Sequence, residues 1–481
     1  MFDRLQTVAL LFLIGSSLVL STYLWLAPSG EAAPTGVMYS PPVAEIATPA
    51  LAGLLRPHGI VLYGSDDADV VEDDEVEQGA EEEEQEDQEE QDEREASPWE
   101  ITLRPGDELY DALWAEGTLL RRIFTGIRED TIPQEVTEAP SAGVRFLFEV
   151  ELSLLDWLDV FLVRTPGDWP ATLVGEFHLL LDGDFAYFQI EGAKGSFDLR
   201  VRYGMAEEMN SLIDEIRQLQ GEREHGGGWE YRPPESFDGI LLKTSVLVPQ
   251  GNLSPYYVYA ESYDAQSIVE AIFFDRSVPR RIEERDGSVI YTDERRGVRI
   301  YPRTGWEYTS PLGGGAVEVT SELEALALAT KFAHTHGGIA SDMRITTLER
   351  RWGNEGYRWV IGFSQDVAGV TVTGSANPVS VLVGRHGVEG YRRSLSFAAG
   401  PALNALQLIT PESALLSLTE TLGFSDGRDD GGLALDFLRL VYWSPDEAQE
   451  PPVFYPAWYA RLSDGRRAVV DGYSGQVRLG W

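Results

Sequence analysis

Apolar positions are grouped unevenly along the chain. No charged residue occurs between Arg4 and Glu31, and Thr7 to Ala27 is a nearly unbroken apolar run. At about 20 residues it matches a hydrocarbon core about 30 Å thick. It has no polar face, which argues against a buried core helix. A secretory signal core is shorter, about 7–15 residues. The small residues of "GEAAP" offer a cleavage site, but the expectation is a retained anchor over 7–27. Tyr23 and Trp25 suit the headgroup layer, and Pro28 and Gly30 end the helix.

Beyond the anchor the periodicities alternate between helix and strand. "PGDELYDALWAEGTLLRRIFTGI" (105–127) has Leu109, Leu113, Leu120 and Phe124 on one helical face, with Pro105 near its start. "MAEEMNSLIDEIRQLQG" (205–221) repeats that pattern and ends at Gly221. The stretch 144–158 is ambiguous between strand and helix. "DAQSIVEAIFFD" (264–275) is a helix with an acidic start, and "GSVIYTDERRGVRIYP" (287–302) alternates on both sides of a "DERRG" turn as a hairpin does. Its Ile290, Val298 and Ile300 are expected to enter the core. "SELEALALATKFAHTHGG" (321–338) is a helix with Ser321 and Glu324 as capping box and Gly337 as stop. "TPESALLSLTETLGF" (410–424) is another, with Thr410 as N-cap and Pro411 in its first turn. Strand runs follow each of these two helices. The fold class is therefore α+β, ending in antiparallel sheets covered by helices.

Charge changes the picture in one place above all. The 481 residues hold 79 Asp+Glu against 38 Lys+Arg, a net charge of −41. The segment 66–95 carries 19 carboxylates and one arginine, and so supplies −18 of it. Such a run reads as a solvated insertion, set between "IVLYG" (60–64) and "WEITL" (99–103), which pair as neighbouring strands. An excess of acid disfavours nucleic acid and an anionic cytoplasmic leaflet, which favours an extracytoplasmic bulk. There are no cysteines, which removes thiolate chemistry and suits export.

The organisation that follows is a stub over 1–6, the anchor, a linker over 28–36, and a first external domain over 37–225 with a disordered acidic insertion at 66–97. "GEREHGGGWEYRPPES" (221–236) and "TSPLGGGAVEV" (309–319) read as breaks. They delimit a middle domain over 226–312 and a third over 316–481.

Catalytic signatures are missing from the sequence. "GFSQD" (362–366) lacks the second glycine of a nucleophile elbow, and neither a phosphate-binding glycine loop nor HExxH occurs. His334 and His336 point to different faces of one helix and make poor joint ligands. Asp156 and Asp159 read as a solvated pair. The aromatic-rich "GWEYRPPES" and "YPAWYARL" read as core. No catalytic, cofactor or metal residue is expected. The one candidate contact face lies in the anchor, where Gly15, Ser17, Ser21 and Thr22 form a small-residue stripe of the kind that packs membrane helices.

Four segments of the external part carry a family resemblance. "FFDRSVPRRIEERDGSVIYTDERRGVRIYP" (273–302) resembles the middle of the YycH family, with Glu294 where the family often has Gly. "GYRWVIGFSQDVAGVTV" (356–372), "VEGYRRSL" (388–395) and "VDGYSGQV" (470–477) resemble the part that YycH shares with YycI. The anchor "SLVLSTYLWLAP" also fits, whereas the acidic insertion and most of the first domain do not. The resemblance implies a single-pass regulator of low-GC-type Gram-positive bacteria with a cytoplasmic N-terminus. Its partners would be a YycI-like protein and an essential cell-wall sensor histidine kinase of the WalK/YycG type, with no catalytic residues. Two other readings stay open: a PepSY-like binding or inhibitor module, and an envelope enzyme whose site the sequence does not disclose. A retained anchor separates the first from the module, and a pocket with perturbed titratable groups would favour the enzyme.

Overall fold

The computed structural model describes residues 48–66, 97–105, 107–125, 143–161, 173–182, 185–192, 195–202, 228–231, 240–242, 246–249, 252–260, 263–273, 279–302, 304–311, 318–353, 356–373, 378–402, 405–423, 433–444 and 453–479. The expected anchor, the helix at 205–221 and nearly all of the acidic insertion lie outside them. No helix of the described residues is long and apolar enough to cross a membrane.

The first half contains α1 (Thr48–Leu54), β1 (Gly59–Asp66), β2 (Ser97–Leu103), α2 (Glu108–Trp114), α3 (Thr118–Thr125), β3 (Gly143–Ser153), α4 (Leu154–Val160), β4 (Leu173–Asp182), β5 (Phe185–Gly192) and β6 (Gly195–Arg202). β1 and β2 pair as expected, Leu62 opposite Ile101. The single helix expected over 105–127 is two helices joined by a 3-10 turn at Ala115–Gly117. Packing explains the break. Ala115 and Gly117 have φ of 34° and 74°, and a Cβ on Gly117 would lie 2.4 Å from the Phe161 ring. Only glycine lets the chain turn there against the aromatic core. The ambiguous stretch 144–158 is both strand and helix, β3 running into α4 with Ser153 as N-cap. Around them Trp114, Phe124, Phe148, Trp157, Phe161 and Phe177 pack edge-on, stacked or tilted, Phe148 and Trp157 tilted with centroids 4.4 Å apart.

The second half adds β7 (Gly228–Tyr231), β8 (Ile240–Leu242), β9 (Val246–Pro249), β10 (Tyr256–Ala260), α5 (Ala265–Ile272), β11 (Arg280–Glu283), β12 (Val289–Thr292), β13 (Gly297–Tyr301), β14 (Gly305–Thr309) and α6 (Glu322–Thr335). Then come β15 (Met343–Gly353), β16 (Gly356–Val367), β17 (Val370–Thr373), β18 (Val379–Gly384), β19 (Gly387–Ser394), β20 (Ser396–Pro401), α7 (Pro411–Leu422), β21 (Leu433–Trp443), β22 (Val453–Leu462), β23 (Arg467–Asp471) and β24 (Val477–Leu479). The fold is α+β, mixed sheets with few helices.

One sheet has the order β6-β5-β4-β3-β1-β2-β7-β9. β7 falls within the stretch expected as a linker, and the stretch 226–312 is shared out. β7 and β9 extend the first sheet, β8 and β10 join β21 and β22, and β11 to β14 run into β19. β9 shows why no clean seam forms there. Its Val246 and Val248 enter the core under α7, while Leu247 meets Val61 and Leu147 of the first sheet. Among the described residues pairing is antiparallel except where β8 and β17 run parallel to β21. Parallel neighbours require a crossover, and the chain from β17 to β21 supplies one through α7.

The other sheet runs β11-β12-β13-β14-β19-β18-β16-β17-β21-β22-β10-β20 with β15 beside β16, and α6 covers one face of its first part. Across it Tyr291, Val298, Tyr308, Tyr391, Val381, Ile361 and Leu348 form one cross-strand row. α6 packs on this row, with Phe332 centred 5.2 Å from Tyr308 and 5.3 Å from Tyr391. Its capping box at Ser321 and Glu324 is formed, and Gly337 takes φ of 128° beyond its end. Thr410 caps α7, with Pro411 in its first turn. Ile290 differs from expectation. It is paired with Ile282 and Arg299 on the outer face and is only half-buried, while Val289 and Tyr291 share the face of Val298 and Ile300.

Candidate functional site

Where the two halves meet, charged side chains are buried together. Arg344 lies near the start of β15 and is 3 % exposed. Its Nε donates to Asp366 Oδ2 at 2.7 Å, and its Nη2 donates to Glu149 Oε1 at 2.9 Å and Thr371 Oγ1 at 2.5 Å. Arg439 of β21 reaches the same Glu149 oxygen at 2.8 Å, and Arg56, beyond α1, reaches the same Asp366 oxygen at 3.2 Å. Three guanidiniums thus clamp two carboxylates across the junction.

The local structure aims each group. β3 leaves regular register between Leu147 and Leu152, and a bulge of this kind re-aims the side chain it carries, here Glu149. Asp366 and Thr371 are opposite each other on β16 and β17. The turn between them uses Ala368 and Gly369 at φ of 49° and 70°, the positive values that a two-residue hairpin needs. A Cβ on Gly369 would meet Arg104 Cβ at 2.9 Å and Pro105 O at 3.1 Å. The turn therefore presses its bare backbone against the first half.

Burial alone would raise the Glu149 carboxyl, but Arg344, Arg439 and His58 outweigh it and hold it down to about 2. Burial also lowers His58 to about 3, with Arg344, Arg439 and Arg104 adding to the effect against Glu149. His58 is thus a neutral imidazole. Desolvation opposes the charge on Arg344, yet Asp366 and Glu149 raise it above its ordinary value. Arg344 Nη1, Glu149 Oε2 and His58 Nδ1 have no hydrogen-bond partner among the described residues. The cluster acts as a polar seam that fixes how two sheets sit together.

The residues singled out from sequence are dispersed by comparison. Gly15, Ser17, Ser21 and Thr22 lie outside the described residues. His334 is exposed, while His336 closes α6, its Nδ1 2.9 Å from Phe332 O and its ring stacked on Phe332. Asp156 completes the N-cap of α4 with Ser153, and Asp159 is raised by desolvation and then by Asp156. Trp458 of "YPAWYARL" is core, its Nε1 donating to Ile409 O at 3.2 Å. No group of three or more metal-ligating side chains forms among the described residues. Sequence reasoning missed Glu149 and Arg344, although Glu149 stands between apolar neighbours in "FLFEV" and Arg344 is the one charge of "MRITTL". A strand that buries both faces cannot leave such a charge unpaired.

No protein-family model matches the chain, and no curated protein does. Among solved structures, YycH from Bacillus subtilis is similar with a TM-score of 0.49 and 10% sequence identity, over 89% of this chain and 96% of that one. An uncharacterized protein from Eubacterium rectale is similar with a TM-score of 0.37 and 12% identity, over 52% of this chain and 93% of that one.

Proposed function

We propose that this chain is a membrane-anchored, extracytoplasmic regulator of a sensor histidine kinase of the WalK/YycG type. It acts through protein contacts with a YycI-like partner and carries no catalytic site of its own. The observation that supports the reading is the agreement between the YycH-like motifs and the backbone beneath them. Glu294 stands where that family often has Gly, and its φ is 73°, a conformation natural to glycine. The other motif residues have equally local roles. Asp293 holds the same turn, accepting from the Arg295 and Arg296 amides and from the Arg296 guanidinium. Gln365 ties β16 to β20 by accepting from the Ala398 amide at 2.8 Å and donating to Asp342 at 2.7 Å. Asp471 accepts from the Tyr473 and Ser474 amides in the "VDGYSG" turn. A motif spent on turns and seams suits a protein that works by presenting surfaces.

The test is co-purification from membranes of the full chain and of a variant lacking residues 1–30. The full chain should bring down the kinase and the YycI-like protein, and the truncated chain should lose them. Replacing Ser17 and Ser21 by leucine should preserve insertion and weaken the association. Recovery of neither partner with the full chain would overturn the proposal.

A further inference from the structure

The far end of β15 lies well away from the buried cluster. Among the described residues β15 pairs with β16 alone. Its first residues are buried against β3, whereas Arg350, Arg351 and Trp352 are exposed on an open edge. Trp352 is 74% exposed and Tyr357 45%. Their rings meet edge to face at 4.7 Å, and the Arg350 guanidinium lies 4.7 Å over the Tyr357 ring. Tryptophan, tyrosine and arginine held in one rigid group are the residues that dominate binding hot spots.

Among the described residues the exposed charge here is positive although the chain is strongly acidic. The Arg350 and Arg351 side chains are 53% and 60% exposed, while their acidic neighbours Glu322 and Glu349 are 17% and 21% exposed. Arg467 of β23 also reaches Glu349, at 3.1 Å. Guanidiniums stand outward and carboxylates sit beneath them. We propose that the edge of β15 at Glu349–Gly353 docks an extended acidic segment of a partner protein as an added antiparallel strand. Such an edge offers unpaired backbone groups for affinity and alternating side chains for choice of partner. Arg350 and Trp352 face one side, Arg351 the other. The complementary strand therefore reads apolar, acidic, acidic from its N-terminus, facing Trp352, Arg351 and Arg350 in turn. A second copy of this chain does not fit, because twofold pairing centred here sets arginine against arginine.

The probe is a fluorescein-labelled octapeptide, TVFEETVT, titrated with the full chain in detergent and followed by anisotropy, with TVFKKTVT as its charge-reversed control. The acidic peptide should bind saturably, weaken with added salt, and exceed the lysine peptide in affinity by about tenfold or more. Trp352→Ala and the pair Arg350→Glu, Arg351→Glu should each reduce binding by about tenfold with thermal unfolding unchanged. Bound peptide should protect amides of 349–353 from hydrogen exchange. Absence of saturable binding, equal binding of both peptides, or binding untouched by the arginine reversal would overturn the proposal. So would self-association in sedimentation that Trp352→Ala abolishes, since the edge would then serve a second copy.

Discussion

Replacing Arg344 by methionine removes the central guanidinium of the junction and leaves its volume nearly filled. Among the described residues Glu149 then keeps one guanidinium, Arg439 at 2.8 Å, and Asp366 one, Arg56 at 3.2 Å, with the Thr371 hydroxyl near both. Both remaining partners are more exposed than Arg344, so their attraction is more heavily screened. Breaking a buried pair from one side costs roughly 3–5 kcal/mol because a charge stays behind without compensation. Each carboxylate retains one cation here, which sets the expectation at the lower end, about 3 kcal/mol. Glu149→Gln is the milder change. It discards the charge, keeps an acceptor for Arg344, and should cost about 1–2 kcal/mol.

The informative measurement is the cycle of both single variants and the double variant, by urea unfolding of the full chain at neutral pH. With Glu149 already neutral, loss of Arg344 strands only Asp366. The double variant should therefore cost less than the sum of the singles by about 1 kcal/mol or more. Hydrogen exchange gives the structural counterpart, with protection lost together at β3 and β15, on opposite sides of the seam. If the variants add within about 0.5 kcal/mol, or if Arg344→Met keeps the wild-type midpoint, the cluster does not couple the halves and the reasoning fails.

The titration of His58 gives a second outcome. Its folded pKa of about 3 lies below the ordinary value of 6.5, so the unfolded chain binds the proton first. Stability should fall as pH drops below 6.5, by about 1.4 kcal/mol per unit from this group. The urea midpoint of His58→Gln measured from pH 7 to pH 5 should show a shallower slope than wild type. Glu149 has the opposite kind of shift, depressed to about 2. Its contribution is complete above the ordinary carboxylate range and is lost as pH falls from 4.5 to about 2, below the window measured, so Glu149→Gln should leave the slope between pH 7 and pH 5 intact. Within the hairpin, Val298→Asp buries a charge at a fully enclosed site and should cost roughly 3 kcal/mol or more. Ile290→Asp, facing Arg299 on the outer sheet face, should cost about 1 kcal/mol or less, and equal losses in thermal unfolding would contradict the register. Glu294→Gly relieves a left-handed residue and should raise the unfolding midpoint by about 1 kcal/mol of stability, with no gain counting against strain at this turn.

What was legible in the sequence was local. The capping box of α6, the Thr410–Pro411 start of α7, and the strands on either side of "DERRG" each depend on residues a few positions apart. The misreadings had partners far along the chain. The break at Ala115–Gly117 answers to Phe161. β7 is four residues beside a glycine run, and it becomes a strand because β2 and β9 flank it. The Ile290 error is one of parity. The turn pairs Thr292 with Gly297, so odd positions of β12 share a face with even positions of β13. Apolar alternation on each strand does not disclose which loop length joins them. Glu149 and Arg344 are separated by 195 positions, and their meeting depends on how two whole sheets pack.

The distribution of the motifs bears on where function resides. Several residues of the YycH-like segments hold the backbone in place: Gly369 at positive φ, Gln365 bonded to the Ala398 amide and to Asp342, and Asp471 accepting from the amides of its own turn. Changing any of them disturbs a turn or a seam. Surface chemistry has no such restraint. Trp352 and Arg351 stand just ahead of the segment that opens at Gly356, exposed on a hairpin arm. A partner can therefore select them without altering the architecture. On this physical ground the motif segments report how the chain folds, and the open end of β15 is where a binding partner would leave its mark on the sequence. Exchanging Arg350–Trp352 for residues of a different charge should then change which proteins this chain retains, while leaving its unfolding midpoint in place.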